Sequence, residues 1–293
     1  MAQIISIANQ KGGVTKTTTT FNLSSALAKM GKKVLMVDLD SQASLTISAG
    51  LEPLDMEYTI CHILKKAALP TAKCIKKVEH IENLYIIPSI IDLAVMEIEL
   101  LSRASREKVL YRALNQIEND FDFIIIDCPP QLSILTVNGL SASDKVIIPV
   151  KTDYLAYRGL TQLSDTIKET QEIINDKLKV IGVIATLFEM TVNEDKEILE
   201  LLKEKYNVLG VIKKAAKAKK GIYDGLPVVL QFEKSDVAKE YTIIAEMILN
   251  KSYERNYEDF EELKAGASLN AKCLEELENN ETSERNMKNG FKR

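Results

Sequence analysis

The chain has 293 residues, 46% of them apolar and 27% charged, a composition that supports one large or two small cored domains. A formal net charge of −4 argues against a protein that binds nucleic acid through an overall basic surface and leaves room only for a local basic patch. Four cysteines, Cys61, Cys74, Cys128 and Cys273, form no CxxC pair, so neither a disulfide framework nor a zinc module is expected and a reducing cytoplasm fits best. The opening MAQIISIANQ lacks the features of a signal peptide. No window approaches the roughly 18 to 20 uninterrupted apolar residues of a membrane span, so neither export nor membrane insertion is expected.

Short β-branched apolar runs alternate with longer stretches of helical period from residue 1 to 250. Strands are expected at 4–8, 33–40, 84–89, 121–128, 145–151, 179–186 and 208–213. Helices are expected over Thr17 to Met30, Leu93 to Asn119, Tyr157 to Asp176 and Asn193 to Tyr206. Several strands are apolar on both faces, which implies an α/β fold: a mostly parallel, twisted sheet covered by helices on both sides. From residue 251 to 293 the texture changes to eight basic and ten acidic residues with few large apolar ones, which reads as a fraying helix and a disordered tail. The expected division is therefore a folded domain over 1–250 and a charged extension over 251–293.

The segment IISIANQKGGVTKTTTTFNLSSAL combines a strand, a glycine-bearing loop and a helix start, the context of a phosphate-binding loop. Gly12 and Gly13 allow close backbone approach, amide hydrogens at the helix start point at an anion, and Lys16 with Thr17 supplies a cation and a magnesium-ligating hydroxyl. Nucleoside triphosphate is the natural ligand. Lys11 adds a second cation, able to neutralise charge developing in phosphoryl transfer. Two aspartates, Asp38 and Asp40, stand at the end of the next expected strand, where alternation puts both on one side. Asp127 ends a third apolar strand, FDFIIID, as an acid holding a magnesium-bound water does.

These segments, with VLMVDLDSQASLT, IIPSIIDLAVMEIEL, FDFIIIDCPPQLSILTVNGL, DKVIIPVKTDYLAYRGLTQL and GLPVV in the same order, resemble the ParA/Soj family of deviant Walker-A P-loop ATPases over residues 3 to 250. The resemblance implies ATP held by Lys11, Gly12, Gly13, Val14, Thr15, Lys16, Thr17 and Thr18, with magnesium ligated by Thr17 and supported by Asp38 and, through water, Asp127. It also implies that Lys11 reaches across an ATP-dependent homodimer to the partner's nucleotide and that Asp40 positions the attacking water. Two positions depart from the family: Thr15 and Ser41 replace the usual glycine and proline. At positive φ a β-branched Thr15 carries strain of about 1 to 3 kcal/mol, while its hydroxyl could instead add a phosphate contact.

Lys213, Lys214, Lys217, Lys219 and Lys220 fall within eight residues with no acid among them. This is either a solvated face or a DNA-binding patch; the resemblance favours non-specific double-stranded DNA, with a typical family arginine replaced by Lys217 and another absent at Met190. His62 and His80 read as surface residues, Cys128, Tyr154 and Tyr157 as packing residues. The family resemblance thus implies a cytoplasmic, nucleoid-associated partition ATPase stimulated by a ParB-type centromere-binding partner. The alternatives are an ATPase positioning a protein cargo and, with no amphipathic apolar terminus in NMKNGFKR to support it, a membrane-positioning ATPase resembling MinD.

Overall fold

Strands buried on both faces need cover above and below, and the chain provides it by crossing over helices between its parallel strands. The computed structural model describes residues 1–65, 70–214 and 225–253. Its eight strands are β1 (Gln3–Ile7), β2 (Val34–Asp38), β3 (Lys76–Lys77), β4 (Leu84–Ile87), β5 (Phe123–Asp127), β6 (Lys145–Lys151), β7 (Lys179–Phe188) and β8 (Val208–Lys213). They form one sheet in the order β3-β4-β2-β5-β1-β6-β7-β8, parallel throughout except for the β3–β4 edge pair. All seven expected strands are present, and the two-residue β3 is the addition.

The helices among the described residues are α1 (Lys16–Lys29), α2 (Ser44–Ser48), α3 (Ile60–Leu64), α4 (Leu93–Leu100), α5 (Val109–Leu114), α6 (Ile134–Ala142), α7 (Tyr154–Ile173), α8 (Asn193–Lys205), α9 (Val228–Gln231) and α10 (Asp236–Asn250). Alternation along the strands sorts the core. Ile5, Ile7, Val34, Met36, Phe123 and Ile125 pack in one cluster with Phe21, Leu23 and Leu27 of α1 and Tyr241 and Ile244 of α10. On the other face Ser6 shares a 2.7 Å hydrogen bond with Ser143, just past α6.

The single helix expected over Leu93 to Asn119 is instead α4, a break, and α5, with Ser105 at φ 50 in the break. Tertiary contacts explain it. The Arg103 guanidinium donates to Leu64 O and, at 3.0 Å, to Lys65 O at the end of α3. The buried Asn138 of α6 donates to Arg106 O at 2.8 Å and accepts from Leu110 N at 3.1 Å, so the backbone groups freed by the break have partners. α10, not expected from sequence, ends at Lys251 in the left-handed region, and Tyr253 beyond it is buried. The expected extension lies, from residue 254 onward, outside the described residues, as do Lys217, Lys219 and Lys220.

Candidate functional site

The loop after β1 emerges at the centre of the sheet, with β5 and β6 as the neighbours of β1, at the strand ends where open α/β sheets bind ligands. Two side chains hold its shape. Asn9 accepts from Lys11 N at 2.9 Å and donates to Pro149 O at 2.7 Å, while Thr186 Oγ1 donates to Val14 O at 3.1 Å. Gly13 needs its glycine for a φ of 75, and a Cβ at either Gly12 or Gly13 would meet no protein atom within 4 Å. The space beside these exposed glycines is open rather than filled by packing. Thr15 is the N-cap of α1 at φ 68, ψ 30, in the left-handed region where a β-branched residue is strained.

Lys16 is buried, and burial pulls its pKa below the usual lysine value against the opposing pull of Asp127, Cys128 and Asp40. Its Nζ donates to Lys11 O at 3.3 Å. Thr17 Oγ1 donates to Asp127 Oδ2 at 2.6 Å, and Thr20, one turn on, reaches Asp127 Oδ1 at 3.3 Å. Thr18 is half-buried, its carbonyl accepting from Asn22 Nδ2 at 2.8 Å.

Asp38 and Asp127 are register partners on β2 and β5, both fully buried. Burial is the main cause that raises both carboxyls, Asp38 to about 6 and Asp127 to about 8, with the Asp38 charge adding to the rise at Asp127 and the Thr17 hydrogen bond and Lys16 lowering it. Asp38 Oδ2 accepts from Thr46 N at 2.9 Å and Thr46 Oγ1 at 2.7 Å, and Oδ1 from Asp40 N at 3.1 Å. It thereby ties α2 to the strand end. Because β2 ends at Asp38, strand alternation does not govern Asp40, which sits in the following turn with its Oδ1 accepting from Gln42 N at 3.0 Å. Its carbonyl accepts from Ser89 Oγ at 2.7 Å.

Lys11 turns to a residue absent from the sequence-based set. Its Nζ lies 2.6 Å from Asp153 Oδ1, and Lys151 Nζ lies 2.9 Å from Asp153 Oδ2. Asp153 also caps α7 by accepting from Ala156 N at 2.7 Å. Burial raises the Asp153 carboxyl, but the hydrogen bonds from Lys11, Lys151 and Ala156 outweigh it and the net displacement is downward. Asp153 stands at the carboxyl end of β6 in the same crevice, a placement that was the available signal; Asn9, Thr20 and Thr46 carried no comparable one.

A hydroxyl and a carboxylate 2.6 Å apart beside a buried lysine and an open glycine loop make a hard-oxygen donor set of the kind magnesium takes when it bridges protein and phosphate. The lysines at the end of β8 are differently placed: Lys213 pairs with Asp236 at 2.8 Å and Lys214 with Glu189 at 2.6 Å. The expectations for His62, Cys128 and Tyr157 agree with their surroundings. His62 is exposed and its Nδ1 accepts from Thr59 N at 3.2 Å at the start of α3; Cys128 is buried with its thiol pushed up to about 12, and Tyr157 is buried.

A family profile described as an AAA domain matches residues 2–180. The sporulation initiation inhibitor protein Soj of Bacillus subtilis is 40% identical over 251 residues, covering 85% of this chain and 98% of Soj. The chromosome partitioning protein ParA of Myxococcus xanthus is 37% identical over 200 residues, 68% of this chain and 70% of that protein. Among solved structures, a cobyrinic acid a,c-diamide synthase of Mycobacterium smegmatis with bound ATP analogue and magnesium superposes with a TM-score of 0.74 at 35% identity, covering 85% of this chain and 95% of that one. With a strand–loop–helix that presents Lys16 and Thr17 against Asp127, and with relatives matched over most of its length, the chain belongs to the ParA/Soj family of P-loop ATPases.

Proposed function

We propose that the chain is an ATP-dependent partition ATPase, and the observation that carries this reading is the Lys16–Thr17–Asp127 arrangement at the mouth of the β1 loop. Loop amides and Lys16 bind the phosphates, Thr17 ligates magnesium, and Asp127 and Asp38 hold its water shell. Asp40, in the turn beyond Asp38, orients the attacking water. Magnesium held by these residues would neutralise charge on the transferring phosphoryl group. ATP brings two subunits together, and Lys11 then exchanges Asp153 for the partner's nucleotide. The dimer sits non-specifically on double-stranded DNA through Lys213, Lys214, Lys217, Lys219 and Lys220, placing it on the nucleoid of the cytoplasm. A ParB-type partner stimulates hydrolysis and release. The cycle is a population shift whose size equals the differential affinity of ATP for the DNA-binding dimer.

The test is binding to non-specific duplex DNA with ATP, ADP or no nucleotide at two salt concentrations, alongside Lys217→Ala and, as the nucleotide-binding control, Lys16→Ala. Binding should require ATP and fall by about 10³ to 10⁵ between 50 and 200 mM salt if six to ten phosphates are contacted. Lys217→Ala should weaken it and Lys16→Ala should abolish it. Nucleotide-independent binding, or none in any state, would refute the DNA-bound dimer.

A further inference from the structure

Thr15 combines two features that are each unfavourable in the protein by itself. Its backbone is left-handed, φ 68 and ψ 30, at a position where glycine would carry no strain. Its hydroxyl oxygen is shut off from solvent and has no hydrogen-bond partner. Among the described residues three buried serine hydroxyls also lack partners, but Ser24, Ser25 and Ser141 lie inside α1 and α6, where the carbonyl four residues back is within reach of a small rotation. Thr15 precedes the first helical residue and has no such carbonyl behind it.

The loop is also not free to rearrange and supply one. Val14 O, directly before Thr15, is held by Thr186 Oγ1, Lys11 N is held by Asn9, and Thr15 O already accepts from Thr19 N at 2.8 Å. These groups are already engaged, and rotation about the Thr15 Cα–Cβ bond can turn the hydroxyl toward a partner on the open side of the loop. The residue lies between the open glycines Gly12 and Gly13 and the Lys16–Thr17 pair, so the ligand nearest to it is the one those residues receive.

Resting on the nucleotide-binding reading of this loop, we propose that the Thr15 hydroxyl is a side-chain hydrogen-bond donor to a phosphate oxygen of the bound nucleoside di- or triphosphate. It adds to the backbone amides a contact that the glycine usual at this position cannot make. The contact is made to ADP and ATP alike, so it strengthens binding of both without discriminating the transition state.

The experiment measures Mg-ADP and Mg-ATP affinity by calorimetry for the full chain and for Thr15→Val, Thr15→Ser and Thr15→Ala, with thermal unfolding of each protein without nucleotide. Thr15→Val keeps the β-branched shape and the strain but removes the hydroxyl. It should bind both nucleotides about tenfold more weakly, as for a lost hydrogen bond to a charged group, while melting no lower than the parent. Thr15→Ser should stay within about threefold of the parent. The Ala and Ser variants form a second pair that isolates the hydroxyl without β-branching, so the comparison survives if Thr15→Val folds poorly. Unchanged affinity in Thr15→Val and equal affinity in Thr15→Ala and Thr15→Ser would overturn the proposal while leaving the nucleotide site intact. Absence of nucleotide binding by the unsubstituted chain would overturn both.

Discussion

Asp127 is an acid set where its charge is least welcome, fully buried beside Asp38, with Thr17 and Lys16 as the favourable neighbours. Its carboxyl is raised to about 8, whereas an aspartate in the unfolded chain titrates near 3.9. The folded state therefore keeps a proton that the unfolded state has released. The associated stability is fully present below about pH 4 and is lost as pH rises through the folded-state value. Asp127→Asn retains an acceptor for Thr17 and has no titration, so its melting temperature should gain on the parent's steadily from pH 5 to pH 8. Parallel melting curves over that range would mean that Asp127 is already ionised at pH 5. The same substitution removes a carboxyl group that can give up its proton to a bound cation, so the gain in stability should come with weaker magnesium-dependent nucleotide binding.

At the scale of elements, the strands are legible because parallel strands buried on both faces read as unbroken apolar runs, as in FIIID of β5 and VLMVD of β2. The loop was equally legible, since glycines, lysines and threonines announce its chemistry locally. The break between α4 and α5 was not, because it is made by Arg103 bonding to α3 and Asn138 reaching back from α6, partners 39 and 32 positions away. α10 had a readable signal in Ser235 as its cap and apolar residues at 237, 238, 241, 244, 245 and 248. Asp153 escaped because its importance lies in which lysine it meets.

Packing between elements also gives a sharp test at Gly139 of α6. A Gly→Ala change inside a helix ordinarily stabilises by about 0.5 to 1 kcal/mol. Here the added Cβ would sit 2.9 Å from Cys128 Sγ, 3.4 Å from Leu39 Cδ1 and 3.5 Å from Ser6 Oγ. Cys128 Sγ is one bond from its own Cβ in a buried residue and has little freedom to withdraw. Overpacking should win, and Gly139→Ala should cost about 1 to 3 kcal/mol by denaturant unfolding. Adding Cys128→Ala should recover much of that loss; a double variant no more stable than the single one would place the strain elsewhere.

For the molecule as a whole, the DNA reading meets an electrostatic obstacle. A chain with net charge −4 must approach a polyanion through a small basic segment, and its two described lysines are already engaged. Neither pairing could be read from the sequence, because Glu189 and Asp236 lie 25 and 23 positions from Lys214 and Lys213. Both pairs are solvent-exposed and therefore weak, so duplex phosphates compete for the lysines at modest cost. Glu189→Gln should free Lys214 in each subunit of the proposed dimer. Affinity for non-specific duplex should then rise by up to about fivefold per subunit at low ionic strength. The slope of log K against log salt should steepen by about 0.9 for each phosphate newly contacted. A general reduction in negative charge would also raise affinity, so the decisive comparison is the same substitution in a Lys214→Ala background. If the gain there equals the gain in the parent, Lys214 touches no phosphate and the basic segment contributes through its other lysines.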